Sequence, residues 1–196
     1  GDSTPRTLII NTPGETFLGG SVGSTGILAS ITTAGGGSTR FGGGTIRTSA
    51  AQDYSGAVLL DGATVFTGNS LSFASTVDSG SVGAQNLTVT SGGGPITFGG
   101  AVGGTAAVGT VTVTASSFTL PSVRSTGGQR YNGATRLTGN LTSTQSGTIA
   151  VNGAASLAGN VSVTTAGAST DNVTFAGAVD AVDDTHSLTV SAGQGG

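Results

Sequence analysis

The chain has 196 residues, a net charge of −3, 37 glycines and only 8% charged residues, where soluble domains usually carry about 25%. The basic residues are all arginine and scattered, which excludes the basic footprint that nucleic acid demands. The absence of cysteine excludes a disulfide framework and a thiolate metal site, and no run of about 18 apolar residues offers a membrane-spanning helix.

Along the chain, short alternating strands are separated by glycine corners. Leu8–Ala34 reads LIINTPGETFLGGSVGSTGILASITTA: an alternating strand, a turn, T-F-x-G-x-V with one extra residue before the Val, a corner, and a second strand. Ser38–Val58 has another pattern, a Phe, then Ile46-Arg47, a polar corner, and Gln52-x-Tyr54-x-Gly56. Asp61-Gly62 marks a turn, and Leu71-Ser-Phe73 with Thr76-Val77-Asp78 is a weaker copy of the T-F-x-G-x-V strand. The first pattern returns over Leu87–Ala115 and again over Val161–Ala192, and the second over Ser117–Leu137. Asn132-Gly133 and Asn152-Gly153 mark further turns.

The spacing of the copies is regular. Tyr54 and Tyr131 are 77 residues apart, as are Phe41 and Phe118, and Phe98 and Phe175, while Phe17 lies 81 before Phe98. Fixed-period similarity is the mark of repeat architecture. It predicts one β-solenoid domain over 1–196, made of about two and a half degenerate repeats at roughly 8–86, 87–160 and 161–196. The fold class is all-β, a parallel β-helix with no significant α-helix, because helix formers such as Lys, Glu and Met are nearly missing. With two or three strands per turn, one repeat makes three or four coils and the chain makes about 8–10. At about 4.8 Å per coil this is a rod about 40 Å long.

Strand alternation assigns the interior. Phe17, Phe73, Phe98 and Phe175 are expected to point inward with Leu87, Val89, Val111, Val113, Leu188 and Val190, as a structural core ladder, with Thr and Ser outward. Glycine runs such as Gly42–Gly44 and Gly92–Gly94 are expected at corners that need positive φ.

The T-F-x-G-x-V and L-T-V-T blocks, with glycine corners and almost no charge, resemble the repeat regions of filamentous-haemagglutinin-like exoproteins and large bacterial adhesins. The resemblance covers essentially the whole chain. It implies a right-handed parallel β-helix, export, and a role as stalk, adhesin or matrix fibre. The secretion domain that such proteins carry is not recognisable in this sequence. The chain begins with Gly and contains no Met, so it is read as a processed chain or a piece of a longer one.

Candidate chemistry is sparse, and no catalytic residue, cofactor or firm metal site is assigned. His186 sits in Asp183-Asp-Thr-His186, where a base or metal ligand is conceivable; a solvated corner is the plainer reading. Asp180, Asp183 and Asp184 form a weak calcium candidate, without the G-G-x-G-x-D pattern of calcium-binding rolls. The acids are not clustered as polysaccharide-cleaving sites require, so the chain is read as no enzyme. Tyr54 and Tyr131 with Arg47 and Arg124 would suit glycan stacking and hydrogen bonding; shared packing between repeats explains them more simply. Asn86, Asn140, Asn160 and Asn172 begin N-x-Ser/Thr sequons, at a number expected by chance in so Ser- and Thr-rich a chain.

The expected role is a structural repeat segment of an extracellular or cell-surface adhesin, matrix or stalk protein. The alternative is a self-assembling subunit of an extracellular filament or sheath, joined through open solenoid edges. A minor alternative is an ice-binding solenoid using outward Thr88/Thr90 and Thr112/Thr114, weighed against by an expected lack of the motif on intervening coils. Expected partners are neighbouring repeats or identical subunits end to end, together with host or matrix glycans or proteins; nucleic acid and a membrane span are not expected.

Overall fold

A computed structural model describes residues 4–80, 84–167 and 169–193. All its regular structure is β, and every strand pairing is parallel. The chain winds as a three-faced solenoid of about eight turns. Alternating β-branched and aliphatic residues make each short strand, and glycine, Asn and Ser corners turn it onto the next face.

The first face stacks β1 (Leu8–Asn11), β3 (Ile31–Ala34), β6 (Ala51–Tyr54), β9 (Ser70–Phe73), β12 (Ile96–Phe98), the end of β13 (Val111–Leu120), the end of β15 (Gln129–Leu137), β18 (Ala155–Leu157) and β21 (Val179–Ala181). The second stacks β2 (Thr16–Leu18), β4 (Thr39–Phe41), β7 (Val58–Leu60) and β10 (Val77–Ser79). It continues through single bridges from Val77 to Val102 and from Val102 to Val123, then through β14 (Val123–Ser125), β16 (Leu141–Ser143), β19 (Val161–Thr165) and β22 (Leu188–Ser191). The third stacks β5 (Gly44–Arg47), β8 (Thr64–Gly68), β11 (Leu87–Ser91), the starts of β13 and β15, β17 (Ile149–Val151) and β20 (Val173–Phe175). β13 and β15 bend around the corner between the third and first faces, with a register shift between Thr114 and Ser117. Turn length varies from 17 residues (Phe118 to Thr135) to 25 (Leu71 to Ile96) on the first face.

The three-faced winding changes the meaning of the repeat. Phe41 lies on the second face and Phe118 on the first; Tyr54 and Phe98 lie on the first, and Tyr131 and Phe175 on the third. Counting one place per face per turn, each pair is eleven places apart, three full turns plus two faces. One repeat is therefore three and two-thirds turns, and equivalent residues of successive copies face different directions. The loops after Val22, Val102 and Val179 obey the same rule, leaving from the third, second and first faces in turn. Gly23 and Gly103, which follow the first two, have φ of 74° and 71°, and a Cβ there would meet the carbonyl oxygens of Arg47 and Arg124 at 2.1 and 2.0 Å. Only glycine fits this approach of one coil to the next.

The interior is dense. Phe41, Tyr54, Phe66 and Phe73 meet from all three faces with ring centroids 5.0–5.6 Å apart, and Phe73 stacks on Phe98 at 5.1 Å and 7°. These offset and edge-on arrangements add to simple area burial. Two buried polar pairs accompany them. Gln52 Nε2 donates to the carbonyls of Ile46 and Thr67, at 3.1 and 2.9 Å, and Tyr54 Oη donates to Gln52 Oε1 at 3.0 Å. In the next copy Gln129 Nε2 donates to Ser125 Oγ and the Thr142 carbonyl, both at 2.9 Å, and Tyr131 Oη donates to Gln129 Oε1 at 2.9 Å. Each glutamine reaches back to bridge two coils of the preceding face, so the same device is built on a different face.

Corner side chains also tie coil to coil. Asn86 Oδ1 accepts from the Thr110 amide and Asn140 Oδ1 from the Ser162 amide, both at 2.8 Å, and Asn160 Oδ1 accepts from the Ser187 amide at 3.0 Å. Three of the sequon asparagines thus have a structural task.

Phe17 departs from the sequence expectation. It pairs with the outward Arg40, while Leu18 pairs with the buried Phe41, and Phe17 is 60% exposed. A strand's faces invert with a shift of one residue; here Thr16 and Leu18 take the inward places. Phe73, Phe98, Leu87, Val89, Val111 and Val113 are buried. Val190 stacks inward on Val163 yet is 48% exposed, and Phe175 and Leu188 are partly buried, because they belong to the last described coil.

Replacing Gln52 with Leu should destabilise the fold, because it orphans the Tyr54 hydroxyl, at about 1–3 kcal/mol when buried unpaired, and removes the amide that bridges the Ile46 and Thr67 carbonyls, the second of which keeps its bond from the Thr48 amide. The double variant Gln52→Leu/Tyr54→Phe should recover part of the loss. Denaturant unfolding of the set checks this; independent, additive losses would contradict the paired arrangement.

Candidate functional site

Tyr54 and Tyr131 are 1% and 0% exposed, so neither can stack on a glycan. Burial raises both phenols well above their usual range, for Tyr54 with a further contribution from Asp53. Arg47 and Arg124 are exposed on the third and second faces and do not converge. The Tyr–Arg set is therefore packing and surface, not a site.

The loop 182–187 is tied to the preceding coil at its ends, by Val182 to the Leu157 carbonyl and by Ser187 to Asn160, and its tip bonds locally. Asp183 Oδ1 accepts from the Thr185 hydroxyl and amide at 2.6 and 2.9 Å, and His186 Nε2 lies 3.4 Å from Asp183 Oδ2. The two bonds from Thr185, and then the neighbouring His186, hold the Asp183 carboxyl below its ordinary range. Asp180 lies apart on β21, and among the described residues no group of three or more His, Asp or Glu is placed to hold a metal ion. The weak calcium candidate of Asp180, Asp183 and Asp184 is thus not brought together: Asp183 is engaged in its own turn.

Arg40 lies in an ion-pair chain. Its guanidinium donates to Glu15 at 3.0 Å and to both oxygens of Asp61 at 3.1 and 3.2 Å, spanning three coils. Glu15 and Asp61 raise its pKa. Asp78, nearly buried, accepts from the amides of Thr105 and Ala106 at 2.9 and 3.2 Å and anchors the loop after Val102. Both arrangements hold coils and loops in place.

The outward rows carry mostly hydroxyls. On the third face Thr88 and Thr90 stand directly beside Thr112 and Thr114 on the adjoining coil, with Val65 and Thr67 on the coil before. No coil intervenes, contrary to the sequence expectation, because the two strands pair directly. The rows are bounded by Arg47 on one side and by Arg130 and Asn132 on the other. On the first face the outward row Thr97, Thr119, Arg136, Ser156, Asp180 borders a shallow groove of about 420 Å³. Sequence reasoning missed this groove because its wall residues come from five different coils and only the register aligns them.

No helix among the described residues is long and apolar enough to cross a membrane. No family model, curated protein or solved structure matches the chain.

The two tyrosines are the only ones in the chain, which has no Trp. A folded-state pKa raised above the unfolded value, about 10, means stability that is complete at lower pH and lost as pH rises past 10. Alkaline titration should show no tyrosinate absorbance until the chain unfolds, and then both residues together. A tyrosine ionising near its ordinary pKa with the fold intact would contradict the buried placement.

Proposed function

We propose that the chain is a non-catalytic structural repeat segment of an extracellular adhesin, matrix or stalk protein, displayed at the cell surface. The observation that carries this reading is the combination of a continuous, fully packed shaft with outward faces of scattered, unclustered chemistry. Apolar ladders, stacked rings and satisfied Gln–Tyr pairs fill the shaft, while hydroxyls dominate its outer rows. Such a body holds a fixed length and direction, as a spacer must. The resemblance to adhesin repeats supports the location.

A self-assembling filament or sheath subunit is the second reading. On the last described coil Val179 and Val190 occupy inward places yet are 37% and 48% exposed. A further coil would cover them, whether from the same chain or from another copy. The stacked Thr rows of the third face support an ice-binding role only as a minor reading, since arginine and asparagine break them.

Antibody raised against the chain should label intact source cells without permeabilisation. Labelling only after permeabilisation would overturn the surface reading. Sedimentation at rising concentration separates the first two readings: a stalk segment stays monomeric, and a filament subunit forms fibres visible by electron microscopy.

A further inference from the structure

We infer that the groove on the first face is a binding site for a linear polysaccharide bearing carboxylates, a polyuronate-type chain lying along the solenoid axis. This gives the surface reading a ligand class, and it is tested in solution, so it can fail while surface display holds.

The groove is made by the corner where β13 and β15 bend. Ser117, Ala134 and Ala154 succeed one another along that corner, and their small side chains leave the floor open. Beside them the outward row presents one polar group per coil: Thr97, Thr119, Arg136, Ser156, Asp180. Successive groups are one rung apart, about 4.8 Å, comparable to the advance of one sugar unit in an extended glycan. A ligand repeating along its length meets a polar group at each coil, with the one positive charge of the row at Arg136.

The charges choose the ligand. Neither Arg136 nor Asp180 has a hydrogen-bond or ion-pair partner among the described residues, unlike Arg40, which is held by Glu15 and Asp61. Arg136 stands in the middle of the row, its planar fork free to take a carboxylate through two parallel bonds. Asp180 stands two rungs further, about 9–10 Å along, where its oxygens can accept from sugar hydroxyls. The only aromatic ring lining the groove is that of Phe118, which is buried. A stacking sugar face therefore has no platform, and recognition falls to hydroxyls and Arg136. An extended peptide would need free backbone edges, and the strands here are paired on both sides.

The test is calorimetric titration of the chain with oligogalacturonate, using its fully methyl-esterified form and a neutral glucan oligomer as controls. The free-acid oligomer should bind and the esterified form should not. R136Q should weaken binding about tenfold or more, the loss of one charge-assisted bidentate contact, with the melting temperature unchanged. R47Q, on the third face, should leave binding unaltered. Equal binding of acid and ester, equal effects of R47Q and R136Q, tighter binding of a sulfated glycan, or no binding at all would each overturn the assignment.

Discussion

Successive coils are joined through their backbones in fixed parallel register, and the rest of the structure depends on this. On the second face the Val58 amide donates to Thr76, Val77 to Ala101, Val102 to Ser122 and Val123 to Asn140, at 2.8–3.1 Å. Buried peptide groups must be paired, and for these amides the partner lies on the neighbouring coil. Register then dictates everything above the backbone: like side chains stack, corners must let coils approach, and corner Asn and Ser oxygens must meet the amides that the turns leave free. Gly103 shows the constraint, since even a methyl group there would strike the Arg124 carbonyl.

Much of this was legible from residue order. Alternation in Leu87-Thr-Val-Thr90 and Ile96-Thr-Phe98 assigns inward and outward sides because a pleated strand has a period of two. Phe17 escaped because the first copy carries an extra residue, and alternation alone does not say which phase meets the core. The repeat itself was legible as a spacing but not as a geometry. Its copies look as if they should stack, yet eleven strand places do not divide by three faces, so Tyr131 sits one face away from Tyr54. The Gln–Tyr pair was visible as a motif; that it lies inside, with Gln52 bridging two coils, needed the fold. The groove beside Arg136 was not legible at all, since its row draws on Thr97 and Asp180, more than eighty positions apart.

The rotation has a functional side. A shaft whose equivalent motifs turn to a new face with each repeat distributes its surface chemistry around the axis. The hydroxyl rows of Thr88 and Thr112 on the third face give way in the next copy to Ser162 and Thr189 on the second. Chemistry confined to one face must then come from residues outside the repeat pattern. Arg136 and Asp180 lie outside the T-F-x-G-x-V and Gln-x-Tyr-x-Gly motifs and fit that description, while the repeated Gln and Tyr are absorbed by packing.

Disulfide trapping tests the eleven-place repeat on a three-faced register most directly, since the chain has no native cysteine. Parallel neighbours lie about 4.8 Å apart, within the range that a disulfide spans. Cysteines at Thr88 and Thr112, and separately at Thr164 and Ser191, should cross-link within the chain, because each pair is in register. Cysteines at Thr112 and Thr189, equivalent in the repeat but on different faces, should remain free thiols. Cross-linking of the last pair with failure of the first two would contradict the account.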